Sequence, residues 1–351
     1  MNEAEAYVFW NCLTEPGDRE AGELIASYGV IEAAAKVMEG EVSVERWQPR
    51  ISGIFPDEVI RRATKLDMKL LLPSAELWPA GLSDLGNFQP TALWYRGNPG
   101  NFEHFSRAIG VVGSRVATSY GQRVTAEICE AVVKEHGMVV SGGALGIDAI
   151  AHRTTMAVGG VTAAFMAGGI DNPYPAAHHE LFEKIAHTGL LLAELPPGLR
   201  PTRWRFLQRN RLIAASSEAV VVTEAGWSSG SINTAGHATE LTRPVYAVPG
   251  PINSPNSAGC NRLIREQQAT LLLEANELPI DLGWVSPKIE PTIGMGTLET
   301  RLYDVLDHRE RHFEDLLIAS GLSASELKIA IGGLQLENLL VSGPAGTWKR
   351  A

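Results

Sequence analysis

Residues 199–211 read LRPTRWRFLQRNR and hold five arginines, Arg200, Arg203, Arg205, Arg209 and Arg211, with Trp204 and Phe206 between them. No acid occurs from Leu195 to Ser217. Guanidinium forks match phosphate oxygens, and aromatic faces stack on bases. The segment therefore has the chemistry of an anion site, with nucleic acid as one ligand class. The plainer alternative is a solvated basic loop that pairs with nearby acids. The chain as a whole carries a formal charge of -10, with a sequence pI near 5.5. Cations gathered in one place on an acidic protein point to a focused site rather than a generally adhesive surface.

Four further clusters sit where an apolar run gives way to a helical pattern. Gly113, Ser114 and Arg115 follow the run 109–113 and combine close backbone approach, a hydroxyl and a fixed charge. Residues 141–148 (SGGALGID) bring Ser141, Gly142, Gly143 and Gly146 to one turn, the composition of an anion nest, with Asp148 expected to cap or orient it. Arg209, Asn210 and Arg211 are expected to open a helix. Ser228, Ser229, Gly230 and Ser231 follow the run that ends at Glu224. Helix N-termini present free N–H groups and a positive dipole, so each such loop suits a phosphate. The glycine turn is no Walker loop, because no GKS or GKT follows, and it ends the second strand, where the dinucleotide fingerprint would follow the first. Several phosphate-friendly loops on one rim suit a polynucleotide better than a single nucleotide.

Other chemistries lack their residues. Cys12, Cys129 and Cys260 are far apart and form no CxxC pair, so neither a disulfide framework nor a zinc site is favoured. No His/Cys/Asp set has metal spacing, and no G-x-S-x-G elbow occurs. No metal, cofactor or serine-elbow nucleophile is therefore expected. His178 reads as a loop or helix-cap residue.

These loops need a scaffold. From residue 108 on, apolar runs at 109–113, 138–141, 161–167, 190–194, 219–224, 245–248 and 270–273 alternate with amphipathic stretches at 120–136, 147–158, 176–187, 210–216 and 231–241. That alternation predicts an α/β domain, a Rossmann-like doubly wound and mostly parallel sheet, over residues 76–285. Residues 1–75 read as a helical module resembling a SAM or helix-hairpin-helix unit, with helices over 21–28 and 30–38 that end at Gly29 and Gly40. Residues 286–296 read as a linker. Residues 297–351 read as three helices and a hairpin, a winged-helix-like module. Its third helix, 323–338, carries only Lys328 against Glu326 and Glu337, which argues against major-groove reading.

Apolar content of 45% and charged content of 20% are those of an ordinary globular protein. The acidic start MNEAEAYVFWNCL does not suit a signal peptide, and no run reaches the roughly 18 apolar residues of a membrane span. A cytoplasmic protein without a membrane partner is expected.

Taken together, VVGSR at 111–115, SGGALGIDAIAH at 141–152, Tyr174-Pro175, AELPPG at 193–198, RNRLIA at 209–214, SSGSINTA at 228–235, and YAVPG with GCNRLI resemble the DNA-processing protein A (DprA/Smf) family. The resemblance runs in order over roughly residues 105–275. It implies a protein that binds and shields single-stranded DNA, loads the recombinase RecA during natural transformation, and dimerises through its Rossmann-like domain, without catalysis. It also implies that Gly113, Ser114 and Arg115 hold a backbone phosphate, that residues 141–148 with Arg209, Asn210 and Arg211 line the same pocket, and that Gly230 and Ser231 lie beside it. Two departures stand out. The family commonly has Ser-Gly-Leu-Ala-Arg-Gly-Ile-Asp, whereas Gly143 and Leu145 occupy the leucine and arginine positions here. Ala176 and His178 stand where a basic residue and an asparagine often follow Tyr-Pro. Each cation missing from a phosphate would cost about 1–3 kcal/mol. Arg200, Arg203 and Arg205 are candidates to compensate as additional DNA contacts. Two alternatives remain. One is a LOG-type nucleotide phosphoribohydrolase, whose PGGxGTxxE pattern is missing from the comparable passage EAGWSSG at 224–230. The other is a recombination scaffold with weak DNA affinity.

Overall fold

In the computed structural model the described residues are 1–286 and 296–351. Five helices come first: α1 (Glu3–Leu13), α2 (Arg19–Tyr28), α3 (Val30–Met38), α4 (Gln48–Ile51) and α5 (Pro56–Lys65). Asp18 caps α2, its carboxylate accepting from the Ala21 N–H at 3.3 Å, and the same carboxylate takes the Trp47 indole N–H at 3.1 Å. Trp10 packs edge-on to Trp47 within a small core that includes Phe9, Leu13 and Val37.

Nine strands then form one sheet: β1 (Lys69–Leu71), β2 (Leu93–Gly97), β3 (Ala108–Val112), β4 (Met138–Ser141), β5 (Thr162–Met166), β6 (Leu190–Ala193), β7 (Ala219–Val222), β8 (Val245–Ala247) and β9 (Thr270–Leu271). Their spatial order is β1-β2-β6-β5-β4-β3-β7-β8-β9. Strands β3 to β9 pair in parallel, while β2 runs antiparallel to β6 and β1 antiparallel to β2. The helices of this region are α6 (Ser119–Lys134), α7 (Ile147–Ala157), α8 (His179–Thr188), α9 (Arg203–Ala215), α10 (Gly230–Glu240), α11 (Ala258–Arg265) and α12 (Glu277–Asp281). Successive strand residues point to opposite faces. Val112, Val140, Val220 and Val222 accordingly pack with Leu212, Ile213 and Ala235 on one side. Ile109, Val111, Val139 and Val221 pack with Ile128, Val132 and Ile147 on the other. This is the α/β, mostly parallel doubly wound fold expected.

Two expectations change. Strand β1 lies ahead of residue 76, inside the stretch read as wholly helical; it is three residues long, and only Leu71 is buried. The helix expected from residue 210 starts at Arg203 instead. Thr202 caps it by accepting the Arg205 N–H at 3.3 Å. Arg209, Asn210 and Arg211 therefore sit inside a helix and do not open one, and Arg203 to Phe206 are its first turn, not a loop.

The chain divides into compact units Met1–Ser286 and Pro287–Ala351. Most of the linker expected over 286–296 lies outside the described residues. The second unit holds α13 (Thr297–Val305), β10 (Arg311–His312), α14 (Phe313–Ser320), α15 (Ala324–Leu336), β11 (Leu340–Gly343) and β12 (Thr347–Arg350). Its strands order as β10-β12-β11. Ser323 and Glu326 form the capping box their spacing implies, at 3.3 and 2.8 Å. Among the described residues no single helix is long and apolar enough to cross a membrane.

Candidate nucleic-acid interface

Strand order reverses at β3: β4, β5 and β6 lie to one side, β7 and β8 to the other. Open α/β sheets bind ligands in the crevice at such a switch point, beyond the carboxyl ends of the strands. A cleft of about 490 Å³ occupies that place, lined by Gly113, Ser114, Arg115, Arg209, Asn210 and the loop Ser228 to Ser231, among others.

The loop after β3 is shaped by crowding. A Cβ on Gly113 would lie 2.7 Å from Ile147 and 2.9 Å from the Glu224 carbonyl. The Ser114 carbonyl accepts the Ile147 N–H at 3.1 Å, and the Ser114 hydroxyl is used locally on Val116. Gly146 lies against the backbone of Ser114 and Arg115, so the two loops form one wall. Arg115 is exposed, with its Cζ 5.5 Å from the centre of the Phe206 ring, and it has no acidic partner among the described residues.

The expected anion nest is already occupied by the protein's own carboxylate. Asp148 Oδ2 accepts the N–H groups of Gly142 at 3.1 Å and Ala144 at 3.3 Å. Burial pushes the Asp148 carboxyl above its ordinary range, and the Arg209 charge and those two N–H groups oppose the rise. Ser141 is buried, its hydroxyl donating to the Val111 carbonyl at 2.7 Å, so it faces the sheet. Gly143 packs under Phe182 and offers its carbonyl to His178 Nδ1 at 3.0 Å. His178 is buried at the start of α8 and ties that helix to the glycine turn. Glu224 plays the same part at the N-terminus of α6, taking the Thr118 N–H at 2.9 Å and the Thr118 hydroxyl.

Helix α10 remains open. Ser229 caps it, and its hydroxyl meets that of Ser231 at 2.7 Å. Nothing would touch a Cβ on Gly230. The Ser231 N–H goes to the Ser229 hydroxyl at 3.4 Å and the Ile232 N–H to the Ser229 carbonyl at 3.1 Å, so the Gly230 end of the helix and two hydroxyls line the cleft, with no carboxylate among the described residues bound to them.

Helix α9 supplies cations in two directions. Arg209 is buried beneath the cleft, its Nη1 donating to the carbonyls of Gly142 at 2.6 Å and Phe165 at 2.5 Å. Its guanidinium lies where a Cβ on Gly142 would be, which requires glycine there. Burial lowers its pKa to about 10, with Asp148 opposing and Arg115 adding to the fall. Nη2 makes no hydrogen bond among the described residues. Asn210 Nδ2 donates to the Gly230 carbonyl at 3.3 Å and to Asn233 Oδ1 at 3.1 Å, which fixes the start of α10.

Arg211 does not join the pocket. Two positions on a helix are about 200° apart, so it faces the opposite way from Arg209. It makes a bidentate pair with Glu194 at 2.7 and 2.6 Å and donates to the Phe88 carbonyl at 3.2 and 3.0 Å. Arg205 is likewise committed, to Glu15 at 3.0 Å through two nitrogens and to the Arg200 carbonyl at 2.7 Å. Arg200 and Arg203 are exposed and have no acidic partner among the described residues. Leu145 and Ala176 are exposed as well.

Sequence reasoning marked Phe206 as an aromatic among the arginines but gave it no place in the pocket. Its ring lies 5.5 Å from Arg115, 5.9 Å from Arg209 and 5.5 Å from Tyr174, and the residue lines the cleft. The signal was there: Phe206 and Arg209 are three apart, a shared helix face once Thr202 is recognised as the cap. Asn256, another lining residue, had no such signal.

Comparisons with known proteins point to one family. The sequence pattern of the family described as DNA recombination-mediator protein A matches residues 69–283. The DprA protein of Mycobacterium tuberculosis is 38% identical over 347 residues, covering 94% of this chain and 86% of the relative. The Streptococcus pneumoniae DprA crystal structure superposes with a TM-score of 0.67 at 27% identity, covering 79% of this chain and 97% of that one. DprA from Helicobacter pylori, whose structure is described by its single-stranded DNA binding mode, gives a TM-score of 0.55 at 27% identity, covering 61% and 95%. The chain belongs to the DNA recombination-mediator protein A family, the DprA/Smf proteins of DNA processing.

Proposed function

We propose that this protein binds single-stranded DNA without catalysis, shields it, and passes it to the recombinase RecA in natural transformation. The observation that carries the DNA reading is Arg115, an exposed guanidinium without an acidic partner among the described residues, set over Phe206 at the mouth of the switch-point cleft. A backbone phosphate there would meet Arg115, the unused Nη2 of Arg209 and the first turn of α10. An unpaired base would find the Phe206 ring. Bases in a duplex are stacked internally and cannot reach it, so the aromatic contribution favours single strands. The single-stranded DNA binding ascribed to the Helicobacter pylori relative supports the same reading.

Transfer to RecA, a homodimer through the Rossmann-like domain and a cytoplasmic setting are proposed from family membership. The C-terminal unit is proposed to contact a protein partner. Its α15 exposes Lys328, Ile329 and Leu336 and so offers one cation, too few for a DNA-reading helix. The phosphoribohydrolase alternative would need a free acid near the cleft, and both oxygens of Glu224 are engaged by Thr118.

Fluorescence anisotropy with labelled single- and double-stranded oligonucleotides over a salt series tests the reading. Wild type is expected to prefer single strands, with Arg115→Ala weaker by roughly tenfold or more on every sequence. Equal affinity of the two proteins would remove Arg115 from the site. A RecA strand-assembly assay with and without the protein tests the handover.

A further inference from the structure

The loop between β7 and α10 carries a second aromatic–arginine pair that the cleft described above does not use. Trp227 is 62% exposed. The guanidinium of Arg262, on α11, lies over its ring with Cζ 4.8 Å from the centre. Arg262 Nη1 also donates to the Trp227 carbonyl at 3.3 Å, which fixes the residue through its backbone as well as its ring. Glu266 lies 4.0 Å from Arg262 Nε, one helical turn on. A large apolar ring is thus held with one face on a protein cation and the other toward water. The chain neighbours of Trp227, Gly226 and Ser228, both line the phosphate cleft.

We propose that Trp227 is a base-stacking face for single-stranded DNA. It would take the nucleobase next to the phosphate held in the cleft, with Arg262 as the positioning residue beneath it. This inference rests on the DNA reading above. Every base has a π-face, so a fixed indole beside a phosphate site binds an unpaired base whatever its identity. The cation on the far face strengthens the sandwich. A rigid ring has little rotamer freedom left to lose on binding, so more of the contact appears as affinity. With Phe206 at the Arg115 wall and Trp227 in the β7 loop, aromatic rings would flank the phosphate. A protein partner docking on Trp227 is the competing occupant. The ring's place between two cleft-lining residues favours the base.

The test is an abasic scan. Anisotropy is measured on the full chain with oligothymidylates in which one base at a time is removed, for wild type, Trp227→Ala, Trp227→Phe and Arg262→Ala. Wild type should show a position where loss of the base weakens binding by roughly tenfold. Trp227→Ala should bind the intact strand about tenfold more weakly and lose sensitivity at that one position. Trp227→Phe should retain most of both, and Arg262→Ala should reduce the abasic penalty without abolishing binding. Duplex affinity should be the same in wild type and Trp227→Ala. If Trp227→Ala binds intact single strands as tightly as wild type, or keeps the full abasic profile, the stacking role is overturned even where Arg115→Ala is weakened. If wild type does not bind single strands at all, both readings fall together.

Discussion

Asp148 and Arg209 grip the same residue, Gly142, from opposite ends. Asp148 takes the Gly142 N–H at 3.1 Å, and Arg209 donates to the Gly142 carbonyl at 2.6 Å. A turn composed like an anion nest is thereby closed by an internal carboxylate, with a buried guanidinium held just under the cleft. Asp148→Ala should leave the Gly142 and Ala144 N–H groups without their acceptor, at a cost of about 1–3 kcal/mol. Urea unfolding of the variant measures it, and a change under about 1 kcal/mol would mean that water replaces the carboxylate.

The Arg211–Glu194 pair predicts a stability defect distinct from a binding defect. Both side chains are buried, so Arg211→Ala strands a carboxylate and should also cost about 3–5 kcal/mol. Replacing the pair with Met at 211 and Leu at 194 should recover most of that loss. Single-stranded DNA affinity of the doubly substituted protein should stay within about threefold of wild type; a larger fall would give Arg211 a direct DNA role.

Two glycines of the cleft should behave oppositely. Gly113→Ala drives a methyl group into Ile147 and the Glu224 backbone and should destabilise the fold by about 1–3 kcal/mol. Gly230→Ala meets open space at a helix start and should leave the melting midpoint unchanged or slightly higher. If a phosphate approaches that backbone, Gly230→Ala weakens single-strand binding although the protein is fully folded.

Arg200 and Arg203 should act as plain phosphate ligands. Changing both to Ala should weaken binding alike on all sequences and lower the log–log salt slope by roughly 0.7 for each phosphate no longer neutralised. An unchanged slope would leave them as solvated cations.

Glu15 should make the joint between α9 and the N-terminal helices sensitive to acid. Burial pushes its carboxyl up, but Arg205 and Arg50 outweigh that and hold it below the ordinary value of 4.5. A depressed folded pKa contributes stability above the unfolded value that is lost as the pH falls through the folded one. Glu15→Gln should therefore cost no more than about 1 kcal/mol at neutral pH, since water screens the pair, with the difference from wild type shrinking as the pH falls below the ordinary carboxyl value of 4.5. A constant difference across the titration would show that packing, not charge, is responsible.

Much of the fold was legible in the chain. AIGVV, MVVS and LLLA are uninterrupted apolar runs, which only a sheet covered on both faces accommodates, and each is followed by a helical period. Lys69–Leu71 was not legible, since its identity as a strand comes from pairing with β2. The start of α9 was hidden because RWRF has no apolar period: its residues answer to the cleft and to Glu15 rather than to the core. At the site, the glycines and arginines were visible as types but not in their directions. Asp148 was legible as a residue that caps or orients the turn, but not as one whose carboxylate takes the N–H groups a phosphate would use. Nor does spacing reveal which of two arginines in RNR meets a buried acid whose position in the fold is set by another strand.

That last pairing bears on how selection would act on the chain. Arg209 and Arg211 stand two residues apart and would tolerate substitution about equally badly. One is constrained by the cleft, the other by a buried Glu194 and the Phe88 peptide of a segment more than a hundred residues away. An RNR triplet preserved among relatives would thus record two separate pressures, one holding the Gly142 and Phe165 carbonyls beneath the cleft and the other neutralising Glu194 on the opposite side of the helix.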